Sequence, residues 1–332
     1  LQLKADGELA AHRLQASLSG PLANAALKLE GTLEPDNVHW LGQLQELQVG
    51  VENQQWQLEQ PLTIDYLHEQ HARLAAHCLV SEHGRLCAEG DQQLLPQLQL
   101  DYRLREFVLA SLQPWLPEGL ALDGTLNGAV QLHEQAGNLQ GQVQLDAGQG
   151  ALRMEQEEQR FAWRALTVSA DLLPEQVDTQ IRLQGAQQGS LLVEARIDPR
   201  PQDKPLSGSF QLSQLNLDAL HGFVQDIEQL QGRIEGQGRI AGTLLAPEVD
   251  GNLCMSEGRI GGGLLPVSLE QLQLDVRVAG QQATLAGNWH SGENGRATLD
   301  GQISWLDELA AGIRLKGQAL PVHVQPYADL EV

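Results

Sequence analysis

Residues 230–244 read Leu-Gln-Gly-Arg-Ile-Glu-Gly-Gln-Gly-Arg-Ile-Ala-Gly-Thr-Leu, so that a leucine, isoleucine or glycine stands at every second position. Residues two apart in a β-strand share a face, and the polar residues between them lie on the other face. Alternation of this kind predicts a half-buried strand. A glycine inside a strand marks a bend or a close approach of backbones. Glycines placed repeatedly on the apolar face therefore predict a sheet that curves around its hydrophobic side.

The motif aliphatic–x–Gly–x–hydrophobic, taken from this segment, recurs along the chain. Its copies are Leu29–Gly31–Leu33, Leu122–Gly124–Leu126, Leu139–Gly141–Val143, Leu206–Gly208–Phe210, Leu230–Gly232–Ile234, Ile240–Gly242–Leu244, Val249–Gly251–Leu253, Leu285–Gly287–Trp289 and Leu299–Gly301–Ile303. Similar alternation without the glycine fills much of the remaining sequence, as at residues 98–104 and 272–278. With roughly 12–15 residues for each strand and its turn, the chain has room for about 22–27 strands.

Two segments interrupt the alternation, and each predicts a short helix. In the first, Ser111 is a candidate N-cap, and Pro114 is compatible with the first helical turn. In the second, apolar residues follow the i, i+3, i+4, i+7 spacing of a helix over residues 219–227, with Asp218 as the candidate N-cap.

These two segments belong to a longer repeat. Leu104 and Leu212 are 108 residues apart, and Gly124 and Gly232 obey the same offset. Repeats that bury their core against their neighbours grow along one axis. We predict three consecutive β-groove repeats: residues 1–108, which hold a Cys78–Cys87 hairpin, residues 109–216, opened by a short helix, and residues 217–332, opened by the helix at 219–227 and truncated at the C-terminus.

The composition agrees with an apolar interior that is not filled by rings, since 42% of the 332 residues are hydrophobic and only 4% aromatic. We predict an all-β fold: an elongated, strongly curved antiparallel sheet, a β-taco or repeating β-groove, with one or two short helices. Aliphatic side chains and glycines on the inner face leave a smooth channel, but the same pattern also fits an ordinary dry sandwich core. A channel suits an extended aliphatic ligand, because each buried methylene contributes about 0.8 kcal/mol without a specific partner.

The predicted lining of the channel, and therefore the candidate lipid-binding set, consists of apolar-face residues from the alternating strands. The set is Leu122, Leu126, Leu139, Val143, Leu145, Ile181, Leu183, Val193, Ile197, Phe210, Leu212, Ile234, Ile240, Leu244, Leu253, Leu274, Val276, Leu285, Leu299 and Ile303.

The charge of the chain limits its partners. Its 43 acidic and 21 basic residues give a formal net charge of −22. Such a chain repels phosphate, which argues against nonspecific nucleic-acid binding and against docking on anionic headgroups through a basic patch. Any contact with lipid is therefore expected to involve the acyl chains. The chain starts and stops within the alternating pattern, so we expect it to be part of a longer protein whose targeting and anchoring segments lie elsewhere.

Cys78 and Cys87 flank a segment centred on Glu82-His83, which is typical of a turn. If the turn lies there, the two cysteines face each other across a hairpin, where Cα atoms approach to about 4.5 Å. A disulfide would indicate an oxidising compartment, and the alternative is two small buried thiols. Cys254 has no evident partner and is interpreted as a core residue.

The polar residues predict no catalytic, metal or cofactor site. Four histidines lie near the cysteines: His68, His71, His77 and His83. Their spacing matches no closed zinc pattern, and we interpret them as exposed turn residues. Glu155, Glu157 and Glu158 form a carboxylate cluster, but a glycosidase needs two carboxylates that face each other across a cleft. We therefore expect a protein that is not an enzyme.

Residues 230–253, 257–260 and 265–272, together with the Trp40–Trp56 region ahead of the two cysteines, resemble the TamB family of Gram-negative bacteria. This family belongs to the AsmA-like group of bridge proteins. The resemblance implies a taco-shaped sheet with an apolar interior that spans the periplasm and conducts phospholipids between the inner and outer membranes. It also implies that this chain is a middle-to-late part of the shaft.

The resemblance further implies two attachments through segments outside this chain. One is to TamA, an outer-membrane barrel of the Omp85 type, and the other is to the inner membrane through an anchor helix. The alternative function is a scaffold or chaperone for outer-membrane barrel assembly, in which open sheet edges pair with client strands. A secreted β-helix enzyme or adhesin is the third alternative.

Overall fold

A computed structural model of the chain describes residues 1–20, 23–34, 38–52, 54–154, 160–186, 189–223, 227–262, 265, 267–305, 309–324 and 328–331. The carboxylate cluster Glu155, Glu157 and Glu158 lies outside these residues. Within them, no helix combines the length and the apolar character needed to cross a lipid bilayer.

The described residues form 26 strands and two 3-10 helices. The strands are β1 Gln2–Glu8, β2 Ala11–Ser19, β3 Ala23–Leu33, β4 His39–Val51, β5 Gln54–Leu58, β6 Leu62–Leu67, β7 His71–Leu74, β8 His77–Ser81, β9 Gly84–Ala88, β10 Gln92–Leu95, β11 Gln99–Val108, β12 Leu120–Gln135, β13 Asn138–Asp146, β14 Gly150–Met154, β15 Arg160–Leu173, β16 Gln176–Gly185, β17 Ser190–Ile197, β18 Leu206–Asn216, β19 Gln229–Gly242, β20 Pro247–Gly261, β21 Leu269–Gly280, β22 Gln282–Ser291, β23 Gly295–Ser304, β24 Ala310–Gln318, β25 Pro321–Val324 and β26 Ala328–Glu331. The helices are Leu109–Trp115 and Leu217–Phe223.

Strands β1 to β24 belong to one antiparallel sheet, and β25 and β26 pair as a separate hairpin. The predicted all-β antiparallel fold is therefore confirmed. The chain divides into two compact units: unit 1 holds Leu1–Pro117, Leu122–Ala147 and Val168–Pro174, and unit 2 holds Glu118–Ala121, Gly148–Thr167 and Glu175–Val332. The division into three sequence repeats stays a prediction, because a division into compact units does not test where a sequence repeat begins or ends.

The strands of unit 1 fork and rejoin. Strands β1 to β4 form a meander, after which β4 pairs with β5 along Gln48–Val51 and with β6 along His39–Leu44. One branch continues from β6 through β7 to β10, and the other from β5 through β8 to β9. Both branches end on β11, which pairs with β10 at Gln99 and with β9 along Arg103–Arg105.

Unit 2 contains a simple meander from β16 to β24, in which each strand pairs with the next along the chain. Exposure alternates along these strands, as in β21, where Leu274 and Val276 are half-buried while Gln273 and Asp275 are exposed. The alternation arises because one face of an antiparallel sheet packs apolar side chains and the other faces water.

Both predicted helices exist as short 3-10 helices, but their starts were placed wrongly. The first begins at Leu109, and the Ser111 hydroxyl donates a hydrogen bond to the carbonyl oxygen of Val108 at 2.6 Å from inside the helix, so Ser111 does not cap it. The second begins at Leu217, which puts Asp218 in the first turn instead of at the N-cap. Residues 224–226 of the predicted helix at 219–227 lie outside the described part.

The 108-residue offset is visible in the backbone. Strands β11 and β18 each contain a bulge just before their helix, with a positive φ of 51° at Glu106 and of 51° at Gln214. The first residue of each helix is a leucine that is 6% exposed. Gly124 and Gly232 then adopt φ angles of 125° and 140° in the strand that follows. The two segments related by the sequence offset therefore share the same order of a strand bulge, a 3-10 helix and a glycine with a positive φ.

Candidate functional site

Strand register in unit 2 aligns 12 of the 15 predicted lining residues of that unit, together with further apolar residues and glycines, into three continuous rows on one face, here called the apolar rows. The first is Ile181, Val193, Phe210, Gly238, Gly251, Val278, Ala283, Ile303 and Ala311; the second is Leu183, Leu191, Leu212, Gly236, Leu253, Val276, Leu285, Gly301 and Ile313; the third is Leu215, Ile234, Met255, Leu274, Gly287, Leu299 and Leu315. Each row runs perpendicular to the strands and contains only apolar residues and glycines.

The exposure of these residues distinguishes a channel from a sealed core. Of the 20 predicted lining residues, 18 are half-buried, two are exposed, and none is fully buried. A close-packed sandwich core would bury its central leucines and valines completely. The apolar face of the described strands is therefore accessible at most of these positions.

Leu139 and Leu244 do not join the lining. Leu139 stands next to the β12–β13 turn, and Leu244 lies beyond the end of β19 in the turn to β20; they are 49% and 47% exposed. Gly242, with a φ of 84°, ends β19 and breaks the alternation. The motif copy Ile240–Gly242–Leu244 therefore marks a strand end and not a strand centre.

One end of the unit 2 face is filled. Leu272, Trp289 and Ala297 are 5–6% exposed and form a small core. Further side chains pack against it: Met255, Ile260, Leu269, Leu274, Leu299 and Leu320. The apolar face is thus packed at one end of its strands, around Trp289, and only half-buried farther along the same strands, around Val276 and Leu285.

Two glycines of the apolar rows, Gly236 and Gly287, do not leave the face empty as the smooth channel expected from the sequence would require. Gly236 stands opposite Leu253, and a methyl group at Gly236 would overlap the Leu253 side chain. Gly287 stands opposite Leu274, whose Cδ1 lies 3.1 Å from where a Cβ of residue 287 would be. Each glycine therefore makes room for a leucine from the neighbouring strand.

Unit 1 carries an apolar row that the predicted lining set missed. Its members are Ala5, Leu14, Leu29, Leu44 and Leu62. Leu62 is 4% exposed, whereas Leu29 is half-buried. The signal was present in the sequence as the alternation of Leu27 and Leu29 with Lys28 and Glu30.

The cysteines illustrate how register decides burial. Cys78 and Cys87 stand opposite each other on β8 and β9 and form a disulfide, with Cα atoms 4.1 Å apart. Cys254 is exposed, so its interpretation as a core residue was wrong. It stands on the polar face between Glu235 and Asp275, and a hydrogen bond with Asp275 raises the pKa of its thiol.

A small charged cluster lies at one end of β4, β6 and β7 in unit 1. His39 places Nε2 2.9 Å from Asp65 Oδ1 and Nδ1 3.1 Å from Glu34 Oε1, while His71 Nε2 lies 3.0 Å from the same Asp65 oxygen. Arg73 stands opposite Asp65 in the ladder. The hydrogen bond to Asp65, followed by that to Glu34, raises the pKa of His39 above 6.5, and the bonds from His71 and His39 lower the pKa of Asp65 below 3.8.

We expect this cluster to stabilise the fold most between about pH 4 and pH 6.5. The contribution of His39 is complete below its unfolded value near 6.5 and is lost as the pH rises through its higher folded pKa. The contribution of Asp65 is present above its unfolded value near 3.8 and is lost as the pH falls through its lower folded pKa. An NMR titration of the His39 ring should give a midpoint above 6.5.

The variant Asp65→Asn should move the His39 midpoint down by more than Glu34→Gln does, because Asp65 is the larger cause of the shift. A midpoint that is unchanged in Asp65→Asn would show that the Asp65–His39 bond does not form in solution.

The four histidines singled out in the sequence do not converge on one point. His68 Nδ1 lies 3.1 Å from the Tyr66 hydroxyl, His71 contacts Asp65, and His77 Nε2 lies 3.1 Å from the Tyr102 hydroxyl. Across the described ranges, no group of three or more histidine, cysteine, aspartate or glutamate side chains is arranged to hold a metal ion.

A family model described as TamB, N-terminal domain, matches residues 1–255. No solved structure matches the chain. The matched model describes an N-terminal domain, so it does not support the placement of this chain in the middle-to-late part of the shaft.

Proposed function

The chain belongs to the TamB family, and from this premise we propose that it conducts phospholipids between the inner and outer membranes along its apolar rows. TamB proteins are membrane-associated bridge or translocation-and-assembly proteins of the cell envelope. The observation that carries the proposal is that most members of the three aligned apolar rows in unit 2 are half-buried. The protein acts without catalysis: it supplies a surface, and the lipid moves along it.

The energetics favour an acyl chain as the occupant of these rows. Hydrocarbon that covers half-exposed leucine, valine and isoleucine side chains removes apolar surface from water at about 25 cal/mol per Å². No hydrogen bond has to form, so an acyl chain meets no fixed partner and is free to slide. The headgroup stays in water, because the rows offer it no charged or polar side chain.

The alternative is a scaffold for outer-membrane barrel assembly together with a TamA-type barrel. Strand β24 favours it, because every residue of β24 is exposed, including Ile313 at 56% and Leu315 at 61%. An exposed strand with apolar side chains is a surface on which an unfolded client strand can add to a sheet. Under either function the protein works in the periplasm and is held at the inner membrane by a segment outside this chain.

Photo-crosslinking in cells separates the two functions. A photoreactive residue at Val143 or Leu274 lies on the apolar face, and one at the neighbouring Gln142 or Asp275 lies on the polar face. We expect phospholipid adducts at Val143 and Leu274 and none at Gln142 and Asp275. Neighbouring positions share local flexibility and differ only in the face they present, so they are matched controls.

Lipid adducts at all four positions would show nonspecific contact and contradict the conduit. Adducts of Ile313 or Leu315 with β-barrel proteins, without lipid adducts at Leu274, would support the assembly scaffold instead.

A further inference from the structure

Trp40 lies flat across two glycines on the apolar face of unit 1. It belongs to β4, and its ring lies over Gly31 of β3 and Gly42 of β4, which stand directly opposite each other. The three atoms nearest to a Cβ built at Gly31 all belong to the Trp40 ring, and a Cβ built at Gly42 would overlap the same ring. A side chain at either position would therefore lift the indole off the sheet.

His12 fixes the far edge of this ring. The Trp40 Nε1–H donates a hydrogen bond to His12 Nε2 at 2.8 Å, and His12 Nδ1 lies 3.3 Å from the carbonyl oxygen of Leu9. His12 stands opposite Gly31 on β2. The indole thus reaches from β4 across β3 to β2, and one hydrogen bond holds it in that plane.

Unit 2 repeats the arrangement with another ring. Gly238 and Gly251 stand opposite each other on β19 and β20, and Phe210 of β18 stands opposite Gly238. A Cβ at Gly238 would overlap the Phe210 ring, and a Cβ at Gly251 would come within 3.1 Å of its Cζ. In both units, a pair of facing glycines receives one aromatic ring from a neighbouring position.

We infer that these glycine pairs are seats that hold a ring flat on the apolar face, and that the seated ring is the surface an acyl chain contacts there. Two facing glycines leave backbone amides uncovered, and a ring laid over them covers this polar surface. A ring that stands up instead projects into the path of the lipid. Gly31 and Gly238 are positioning residues for Trp40 and Phe210, and this inference rests on the proposed function.

The seat itself is tested without lipid, by a double-mutant cycle between Gly31 and Trp40. Gly31→Ala should lower the midpoint of thermal unfolding by about 2–6 °C when Trp40 is present. In a Trp40→Leu background, the same change should leave the midpoint within about 1 °C. Gly312→Ala is the matched control, because nothing lies within 4 Å of a Cβ at that position, and it should be neutral in both backgrounds. If Gly31→Ala lowers the unfolding midpoint equally in both backgrounds, the Trp40 ring does not occupy the space above Gly31, and the inference is overturned.

Contact with lipid is tested by fluorescence quenching with phosphatidylcholine vesicles whose acyl chains carry bromine. Bromine quenches tryptophan only at close range, so the signal that is lost in Trp40→Phe reports contact at this ring. We expect Trp40 to be quenched in the native chain. In Gly31→Ala the indole leaves its plane, and the Trp40 emission maximum should shift even before lipid is added. Vesicles of the same lipid without bromine are the control.

Failure of this inference differs from failure of the proposed function. If Val143 forms lipid adducts but brominated chains do not quench Trp40, the ring is not a contact surface and the inference is overturned. If neither lipid adducts at Val143 nor quenching of Trp40 is observed, unit 1 does not conduct lipid, and the proposed function is contradicted there together with the inference.

Discussion

Replacement of Val276 by aspartate is expected to reduce phospholipid transfer by the full-length protein about 100-fold. Val276 lies near the middle of the second apolar row, half-buried between Leu253 and Leu285. A carboxylate in hydrocarbon costs about 2.5–3.5 kcal/mol relative to water, and each 1.4 kcal/mol changes a rate or equilibrium about tenfold. An acyl chain that slides along the row must pass this group. Transfer between membranes, followed with labelled phospholipid, measures the effect.

The matched control for this variant is Gln273→Asp. It adds the same single charge to the same strand, but residue 273 is exposed on the polar face. Its transfer rate should stay within about twofold of the native rate, because a surface charge is screened by water and salt. Thermal unfolding of both variants shows whether a loss of transfer reflects a loss of fold. Equal transfer by Val276→Asp and the native protein would refute the conduit along these rows.

The second large expected effect is a loss of stability when the disulfide is removed. We expect the double variant Cys78→Ala, Cys87→Ala to lose about 2–3 kcal/mol of unfolding free energy. The bond closes a loop with a sequence separation of 9, and the loop-entropy relation gives about 2.7 kcal/mol for a loop of that size. Burial adds to the sensitivity of the site, since Cys87 is 4% exposed. Denaturant unfolding under oxidising conditions measures the loss.

Cys254→Ala is the control for this experiment. The Cys254 thiol is exposed and outside the disulfide, so its removal should change stability by less than about 0.5 kcal/mol. A reducing agent should destabilise the native chain and leave the double variant unchanged. Equal stability of the native chain and the double variant would mean that the hairpin is held by strand pairing alone.

Local pattern was sufficient for most of the fold. Alternation of apolar and polar residues identified the strands and their apolar faces, because the period of a strand is a property of the backbone and does not depend on distant contacts. It also gave the hairpin that brings Cys78 and Cys87 together, since a short turn sets the register of its two strands. The two helices could also be predicted from local sequence, because each interrupts the alternation and the two segments are related by the 108-residue offset.

The errors concern positions where an adjacent strand, turn or bulge decides the outcome. Cys254 looked like a core residue, yet pairing puts it between Glu235 and Asp275 on the polar face. Leu244 continued the alternation, but the turn to β20 had already begun. Ser111 and Asp218 looked like helix caps, whereas each helix follows a strand bulge and begins at Leu109 or Leu217, so that both residues lie inside the helices.

The sequence by itself determined that this protein is an antiparallel sheet with one aliphatic face and one polar face, because side-chain direction in a strand follows from the chain's own geometry. Only the tertiary structure decided how open the aliphatic face is and what covers its glycines. That outcome depends on which residue stands opposite each glycine, a leucine at Gly236 and an aromatic ring at Gly31. Partners in a neighbouring strand are chosen by register and turn geometry, which no single strand's pattern contains.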